Sequence, residues 1–451
     1  MTRLMGTAVF LLCALCLFAH TAYAAEEGFT PNFSVQSKAA YLYNMDTGDV
    51  IYAQNAHEKL PPASLTKIMT AVLAMELADD LDFDVVVYPG YVQDFLYDYQ
   101  YIQGNGIVSN AELMAGDELT IREALYALML PSGNEVAMSL AHHFGGGQQG
   151  FVDMMNRRAR ELGMSNTNFV NANGLFDPEH VTTAYDLALL TMHAIELPGF
   201  MEIVNTTVYQ SPAIKLHPDG IPWITTNRMI VPENENYYPP VRGVKTGTLP
   251  QAGRCFISTA SKDGFTYLLV VMGAPYLDED GAILPRQMAF VETRQFYEWV
   301  FDTFRVKTLV DKGRHVGDIE LRLNMEQDRL RLMTAERFTA LLPTEIEASS
   351  VEFELFVPDF LVAPVQKHDR IGEAALILNG EEKGRVDLLA AESVDASYIL
   401  VVLESVREVT RSFWFKFAVV GIVMLIVFYI VMMIIRNNAN RRSGYRPRRR
   451  L

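Results

Sequence analysis

Three short groups of residues in this chain have side chains that could together make and break an ester. Ser64 and Lys67 stand three positions apart, a spacing that places two side chains on one face of a helix, so a hydroxyl and an amine point the same way. A serine hydroxyl is a weak nucleophile until a base takes its proton, and a lysine buried near other cations can become that base. Ser-x-x-Lys arises by chance in most long chains, so its weight comes from its company. Ser132-Gly133-Asn134 opens another helical stretch, where serine and asparagine serve equally well as N-terminal caps. As chemistry, Ser132 would relay a proton to a leaving nitrogen, while the Asn134 amide binds a substrate carbonyl and steadies Lys67. Lys245-Thr246-Gly247 precedes a strand run. Its plain reading is a basic residue beside a turn; its chemical reading has Lys245 and Thr246 holding a substrate carboxylate and Gly247 letting an extended peptide pair with the edge strand.

These groups are far apart in the chain, so folded elements must gather them. Residues 39–44 and 50–53 flank Asp46-Thr47-Gly48-Asp49 as an antiparallel hairpin. Pro61-Pro62 stops the extended chain, and Leu65, Ile68, Met69, Val72, Leu73 and Met75 recur at helical spacing. That pattern predicts a helix from about Ala63 to Ala78 with Ser64 and Lys67 in its first turn. Further helical patterns cover residues 121–129, 134–143, 151–162 and 184–195, and residues 253–261 and 267–273 read as a late hairpin around Lys262-Asp263-Gly264. A helix over 286–304 closes this domain. Short alternating strands then continue to about Val394 and predict a second, all-β domain. The tyrosine-rich stretch 88–101 reads as an elaborated loop.

With 451 residues, half of them hydrophobic and 20% charged, the chain has the composition of two or three folded domains with apolar ends. Its 38 basic against 54 acidic residues give a net charge of −16, which excludes a general nucleic-acid-binding role. Arg3, an apolar run over 7–19 and Ala22-Tyr23-Ala24 predict a signal peptide cleaved before Ala25. A lipoprotein route through Cys13 or Cys16 would need small residues where Leu12 and Leu15 stand. Cleavage leaves Cys255 as the remaining thiol, without a bridging partner. Residues 417–435 are uncharged and apolar, long enough at about 1.5 Å per residue to cross roughly 30 Å of hydrocarbon. Trp414 and Phe415 precede this run as interfacial aromatics; seven arginines and no acidic residue follow it. This asymmetry predicts a cytoplasmic tail that meets anionic lipid, with everything before the span outside. Removing those seven charges from −16 leaves −23 for residues 1–435.

Taken together, Ser-x-x-Lys, Ser-x-Asn and Lys-Thr-Gly in this order form a known signature of β-lactamases and penicillin-binding proteins. The flanking residues narrow the match. Pro62 to Thr70, Leu130 to Asn134, Asn173-Gly174-Leu175, His180 to Ala188, Gly243 to Gly247 and Gln251 to Cys255 resemble the low-molecular-mass penicillin-binding proteins that act as serine-type D-alanyl-D-alanine carboxypeptidases. The resemblance runs from about Ala39 to Phe304, and Ala363-Pro364-Val365 with Ile371-Gly372 is similar to that family's β-rich C-terminal domain. It implies an α/β (α+β) transpeptidase-like, β-lactamase-like domain with a central antiparallel sheet flanked by helices. It also implies Ser64 as nucleophile, Lys67 as base and Ser132 with Asn134 in the proton relay. Further implications are an oxyanion hole from the amides of Ser64 and Thr248, and carboxylate binding by Lys245, Thr246 and an arginine best matched by Arg286. The expected partners are peptidoglycan stem peptides, β-lactams as covalent inhibitors and the membrane through the C-terminal helix; no cofactor or metal is implied. Glu135 stands where many members have aspartate, and Thr248-Leu249-Pro250 where tyrosine or histidine and polar residues are more usual.

The expected organisation is a signal peptide over 1–24, a peptidase domain over 25–304, a β-rich domain over 305–395, a juxtamembrane linker over 396–416, a membrane helix over 417–435 and a basic cytoplasmic tail over 436–451. Two other readings use the same residues. A class A β-lactamase needs a glutamate-positioned water, and no Glu-x-x-Leu-Asn segment supplies one. A non-catalytic β-lactam sensor or wall-binding scaffold would leave the work to the second domain. His142-His143 with Gly145-Gly146-Gly147 lacks a metal-site or phosphate-loop context and reads as a helix end. His180, near Asp177 and Glu179, reads as structural, and Cys255 as a strand residue.

Overall fold

The computed structural model describes residues 27–102, 108–278, 280–378 and 380–443. The expected signal peptide over 1–24 and the arginines at 446, 448, 449 and 450 lie outside the described residues. The chain divides into two units after Phe304.

In the first unit, strands from both ends of the sequence share one six-stranded sheet. Its order is Glu27–Gly28, Val50–Gln54, Ala39–Asn44, Phe265–Ala274, Gly253–Lys262, Val241–Leu249, and every neighbouring pair is antiparallel. Alternation along Phe265–Ala274 sends side chains to opposite faces. Leu268, Val270 and Met272 join the helical core, whereas Tyr267 meets Phe301 of the closing helix Met288–Thr303 edge-on. On the helical side, Lys67–Leu77 is buried continuously from Lys67 to Ala74, as expected of a helix apolar on most sides. Ile121–Met129, Asn134–Gly145, Gln148–Glu161 and Ala184–Glu196 complete the main helical layer. Local chemistry sets their starts: Thr120 Oγ1 accepts from Glu123 N at 3.2 Å while Glu123 Oε2 accepts from Thr120 N at 2.8 Å, a capping box. Thr183 Oγ1 accepts from Asp186 N at 3.0 Å.

The stretch 88–101 is not a loop. It forms a helix, Gly90–Tyr97, followed by a π-helical turn, Asp98–Ile102. Val92 and Leu96, four apart, are buried with Met138 and Leu175, so helical spacing was present beneath the aromatic composition.

Gly174 marks the tightest approach near Ser64. It has φ +85°, and a Cβ there would lie 1.9 Å from the carbonyl oxygen of Ala63. Gly174→Ala is therefore expected to lower stability by about 1–3 kcal/mol, combining left-handed strain with overpacking. It should also slow serine acylation, because the displaced backbone leads directly into Ser64. Thermal unfolding and acylation kinetics of the variant check both effects.

The second unit contains a six-stranded sheet in the order Glu352–Phe356, Arg370–Leu378, Glu381–Ala390, Arg329–Thr334, His315–Arg322, Phe360–Val362. Leu330, Leu332, Leu376 and Leu388 are fully buried in its core. The expected linker over 396–416 is instead largely helical, Tyr398–Arg411. Ile399, Val402, Leu403, Val406 and Val409 follow a helical period opposite Glu404, Arg407 and Glu408; reading the stretch only as the approach to a membrane span hid that period. Ser412, with extended ψ 138°, separates it from Phe413–Ser443. Within the latter, Phe413–Asn437 is long and apolar enough to cross a membrane.

Candidate active site

Ser64 sits in a 3-10 turn, Ala63–Thr66, that runs into the α-helix at Lys67. The turn is held from below. Thr66 Oγ1 donates to Ala63 O at 2.8 Å and lies 2.8 Å from His180 Nε2. His180 Nδ1 accepts from Val170 N at 2.9 Å, so Nε2 carries the proton and donates to Thr66. Burial lowers the His180 pKa to about 4, which keeps the ring neutral in this structural role.

Lys67 is fully buried, and its Nζ reaches three oxygens: Ser64 Oγ at 3.1 Å, Asn134 Oδ1 at 2.9 Å and the Asn173 carbonyl at 2.6 Å. Burial above all, then the charge of Lys245, pulls its pKa well below the ordinary lysine value; Glu135 opposes them. A buried amine with a depressed pKa, hydrogen-bonded to a serine hydroxyl, has the geometry and the proton affinity of a general base.

The Ser132-Gly133-Asn134 turn closes the other side. Ser132 has φ +66° and is 3% exposed, and among the described residues its Oγ has no hydrogen-bond partner. A left-handed serine with an unpaired buried hydroxyl is costly unless something else fills the bond. Asn134 is fixed by Ser109 O, which accepts from its N at 3.1 Å and its Nδ2 at 2.8 Å. Its Oδ1 thereby faces Lys67.

Val241–Leu249 brings Lys-Thr-Gly to the sheet edge. At Gly247 a Cβ would stand 3.3 Å from Ser64 N and 3.2 Å from Pro62 O, so any side chain there would crowd the nucleophile's turn. Lys245 is fully buried, donates to Thr246 O at 3.2 Å, and has its pKa lowered by burial to about 7. Thr226 stitches two motifs together: its N donates to Leu130 O at 3.0 Å, two residues before Ser132, and its Oγ1 lies 2.6 Å from Thr246 Oγ1. The hydroxyl, the amine and the two distant turns thus meet in one place.

Several features of the site's neighbours escaped sequence reasoning. The Asn173 carbonyl is a backbone atom and carries no residue signal. Glu135 looks like an ordinary acid in a helix's first turn. In fact it is fully buried, accepts from Ala111 N at 2.5 Å, and has a pKa raised to about 7 chiefly by desolvation. Its ionised form raises the Lys67 pKa. Glu135→Gln is therefore expected to move the acidic limb of the acylation profile to lower pH, measured as acylation rate against pH. Arg254, the cross-strand partner of Thr248, is buried; its guanidinium donates to Leu284 O at 2.6 Å and to Arg286 O. It ties the 275–287 segment to the sheet. Arg286 is exposed, and among the described residues its side chain makes no ion pair. Cys255 is 1% exposed with a pKa raised to about 11 by burial, an inert thiol. Among the described residues no cluster of His, Cys, Asp and Glu could hold a metal ion.

Comparison with known proteins agrees with this geometry. A family profile described as D-alanyl-D-alanine carboxypeptidase matches residues 24–276, and one described as penicillin-binding protein 5, C-terminal domain, matches 304–396. The D-alanyl-D-alanine carboxypeptidase DacF of Bacillus subtilis (strain 168) is 29% identical over 419 residues, covering 92% of this chain and 100% of its own length. DacC of Escherichia coli (strain K12) is 28% identical over 388 residues, covering 84% and 90%. Penicillin binding protein 5 of Haemophilus influenzae shares the fold with a TM-score of 0.58 at 23% identity, over 82% of this chain and 100% of that one. The Streptomyces K15 DD-transpeptidase gives 0.52 at 26% identity, over 60% and 99%. The first profile spans more than half of the chain and every motif from Ser64 to Thr248, and on that match the chain belongs to the D-alanyl-D-alanine carboxypeptidase family.

Proposed function

We propose that the chain removes the terminal D-alanine from peptidoglycan stem pentapeptides through an acyl-Ser64 intermediate. Neutral Lys67 takes the Ser64 proton as Oγ attacks the carbonyl of the penultimate D-alanine. The developing oxyanion lies between the amides of Ser64 and Thr248, each worth about 3 kcal/mol. Lys245 and Thr246 hold the terminal carboxylate, and Arg286 is the candidate for a third, cationic contact to it. Ser132 relays the proton held by Lys67 to the leaving nitrogen, so both return to their starting states; its unpaired buried hydroxyl fits that role. D-Alanine departs and water hydrolyses the ester with Lys67 again as base. A β-lactam would acylate Ser64 in the same way and leave slowly.

The observation that carries this reading is the buried Lys67 amine bonded at once to Ser64 Oγ and Asn134 Oδ1. The apolar helix ending in arginines supports a single-pass anchor, with the catalytic unit outside the membrane and the basic tail in the cytoplasm. The test is D-alanine release from synthetic pentapeptides carrying diaminopimelate or lysine at the third position. Release by the parent protein and none by Ser64→Ala is expected; no release by the parent from either peptide overturns the reading.

A further inference from the structure

The helix Gly90–Tyr97 and the π-helical turn after it wall a cavity that acyl transfer does not use. Its volume is about 440 Å³, within the range of small-molecule sites. Tyr97, Gln100 and Tyr101 stand on this side, and Asn110 and Glu135 line it from the segment and helix that also hold Asn134. Tyr97 and Tyr101 are four residues apart with ring centroids 5.1 Å from each other, and they are 60% and 63% exposed. Paired rings left in water by a folded domain mark an interaction surface, and their faces suit the C–H face of a pyranose ring. The amides of Gln100 and Asn110 can each donate and accept, as hydroxyl recognition requires.

Charge narrows the ligand further. Among the described residues lining the cavity there is no lysine, arginine or histidine, so a phosphate or carboxylate would find no cationic partner. Glu112, also in the lining, is already engaged by His217 Nε2 at 2.8 Å. Glu135 gives one oxygen to Ala111 N, and its Oε2 is buried beneath the lining rather than presented to the cavity. Desolvation raises the pKa of this carboxyl to about 7.

We propose that this cavity is a sugar subsite that takes an uncharged N-acetylated pyranoside of the glycan strand carrying the stem peptide. The location supports it: Ser109, whose carbonyl holds Asn134, and Ala111, whose amide holds Glu135, flank the lining residue Asn110. A glycan bound there lies beside the cleft that receives the peptide attached to it. The choice of glycan rests on the carboxypeptidase reading above; the sugar-binding chemistry does not.

The test uses the full chain in detergent and a Tyr97→Ala, Tyr101→Ala double variant, whose substitutions fall on exposed side chains. The probe is the tetramer of N-acetylglucosamine, titrated calorimetrically. The parent is expected to bind it and the variant to bind at least about tenfold more weakly. D-Alanine release from free pentapeptide should be unchanged in the variant, while KM on uncrosslinked glycan-linked pentapeptide rises about tenfold. Equal binding by both proteins, no binding by either, binding of free lysine in place of the sugar, or an unchanged KM on the polymer each overturns the proposal. If free pentapeptide is not cleaved at all, the carboxypeptidase reading fails, yet the titration still decides sugar binding.

Discussion

A Lys67→Met enzyme is expected to acylate Ser64 about 10⁴-fold more slowly than its parent, the upper end of what a positioned general base contributes. That factor corresponds to about 5.5 kcal/mol of transition-state stabilisation. Methionine keeps the unbranched shape of the lysine stem and places no amine in the core. It leaves Asn134 Oδ1 and the Asn173 carbonyl without their donor, at about 1–3 kcal/mol each, but it also removes the desolvated amine. The fold should therefore persist while chemistry stops. Rapid-mixing acylation by a fluorescent penicillin checks it, with Ser64→Ala as the zero of label and far-UV circular dichroism as the control for folding. A rate within tenfold of the parent would contradict Lys67 as the proton acceptor.

The second large effect belongs to Lys245. If it binds the terminal carboxylate as a cation, then acylation by pentapeptide needs Lys67 neutral and Lys245 charged. kcat/KM in the free enzyme should rise with pH as Lys67 loses its proton and fall again as Lys245 loses its own near pH 7. The amines repel each other, so the two limbs belong to the pair. Lys245→Arg keeps a cation at every accessible pH, and the alkaline limb should vanish. Lys245→Met should cost about 10²–10³-fold in kcat/KM on pentapeptide, as expected for leaving a buried charge unpaired. The same substitution should cost far less on a substrate whose terminal carboxylate is an amide. An unchanged alkaline limb in Lys245→Arg, or equal losses on both substrates, would remove Lys245 from carboxylate binding.

What the sequence disclosed follows from where its information lies. Side-chain identity and period already put Ser64 and Lys67 on one face, because i and i+3 meet there whether the first turn is 3-10 or α. The late hairpin and the opening hairpin are legible for the same reason, and antiparallel pairing of Ala39–Asn44 with Phe265–Ala274 joins them. Contacts made by backbone atoms are silent in sequence, which is why the Asn173 carbonyl on Lys67 and the Ser109 carbonyl on Asn134 were invisible. Burial of a charged side chain is equally silent: the residue types of Glu135 and Arg254 do not say that the tertiary fold encloses them. The helices Gly90–Tyr97 and Tyr398–Arg411 were missed for another reason. Their periods are short and lie inside stretches whose composition suggested a loop and a linker.

The measurement that bears most directly on the central claim is the site of covalent attachment. The full chain is incubated with a labelled β-lactam, digested, and the adduct located by tandem mass spectrometry. Mass added at Ser64 in the parent protein, and absent from Ser64→Ala, is the predicted result. An adduct on any other residue, or none in a folded parent, would contradict Ser64 as the nucleophile.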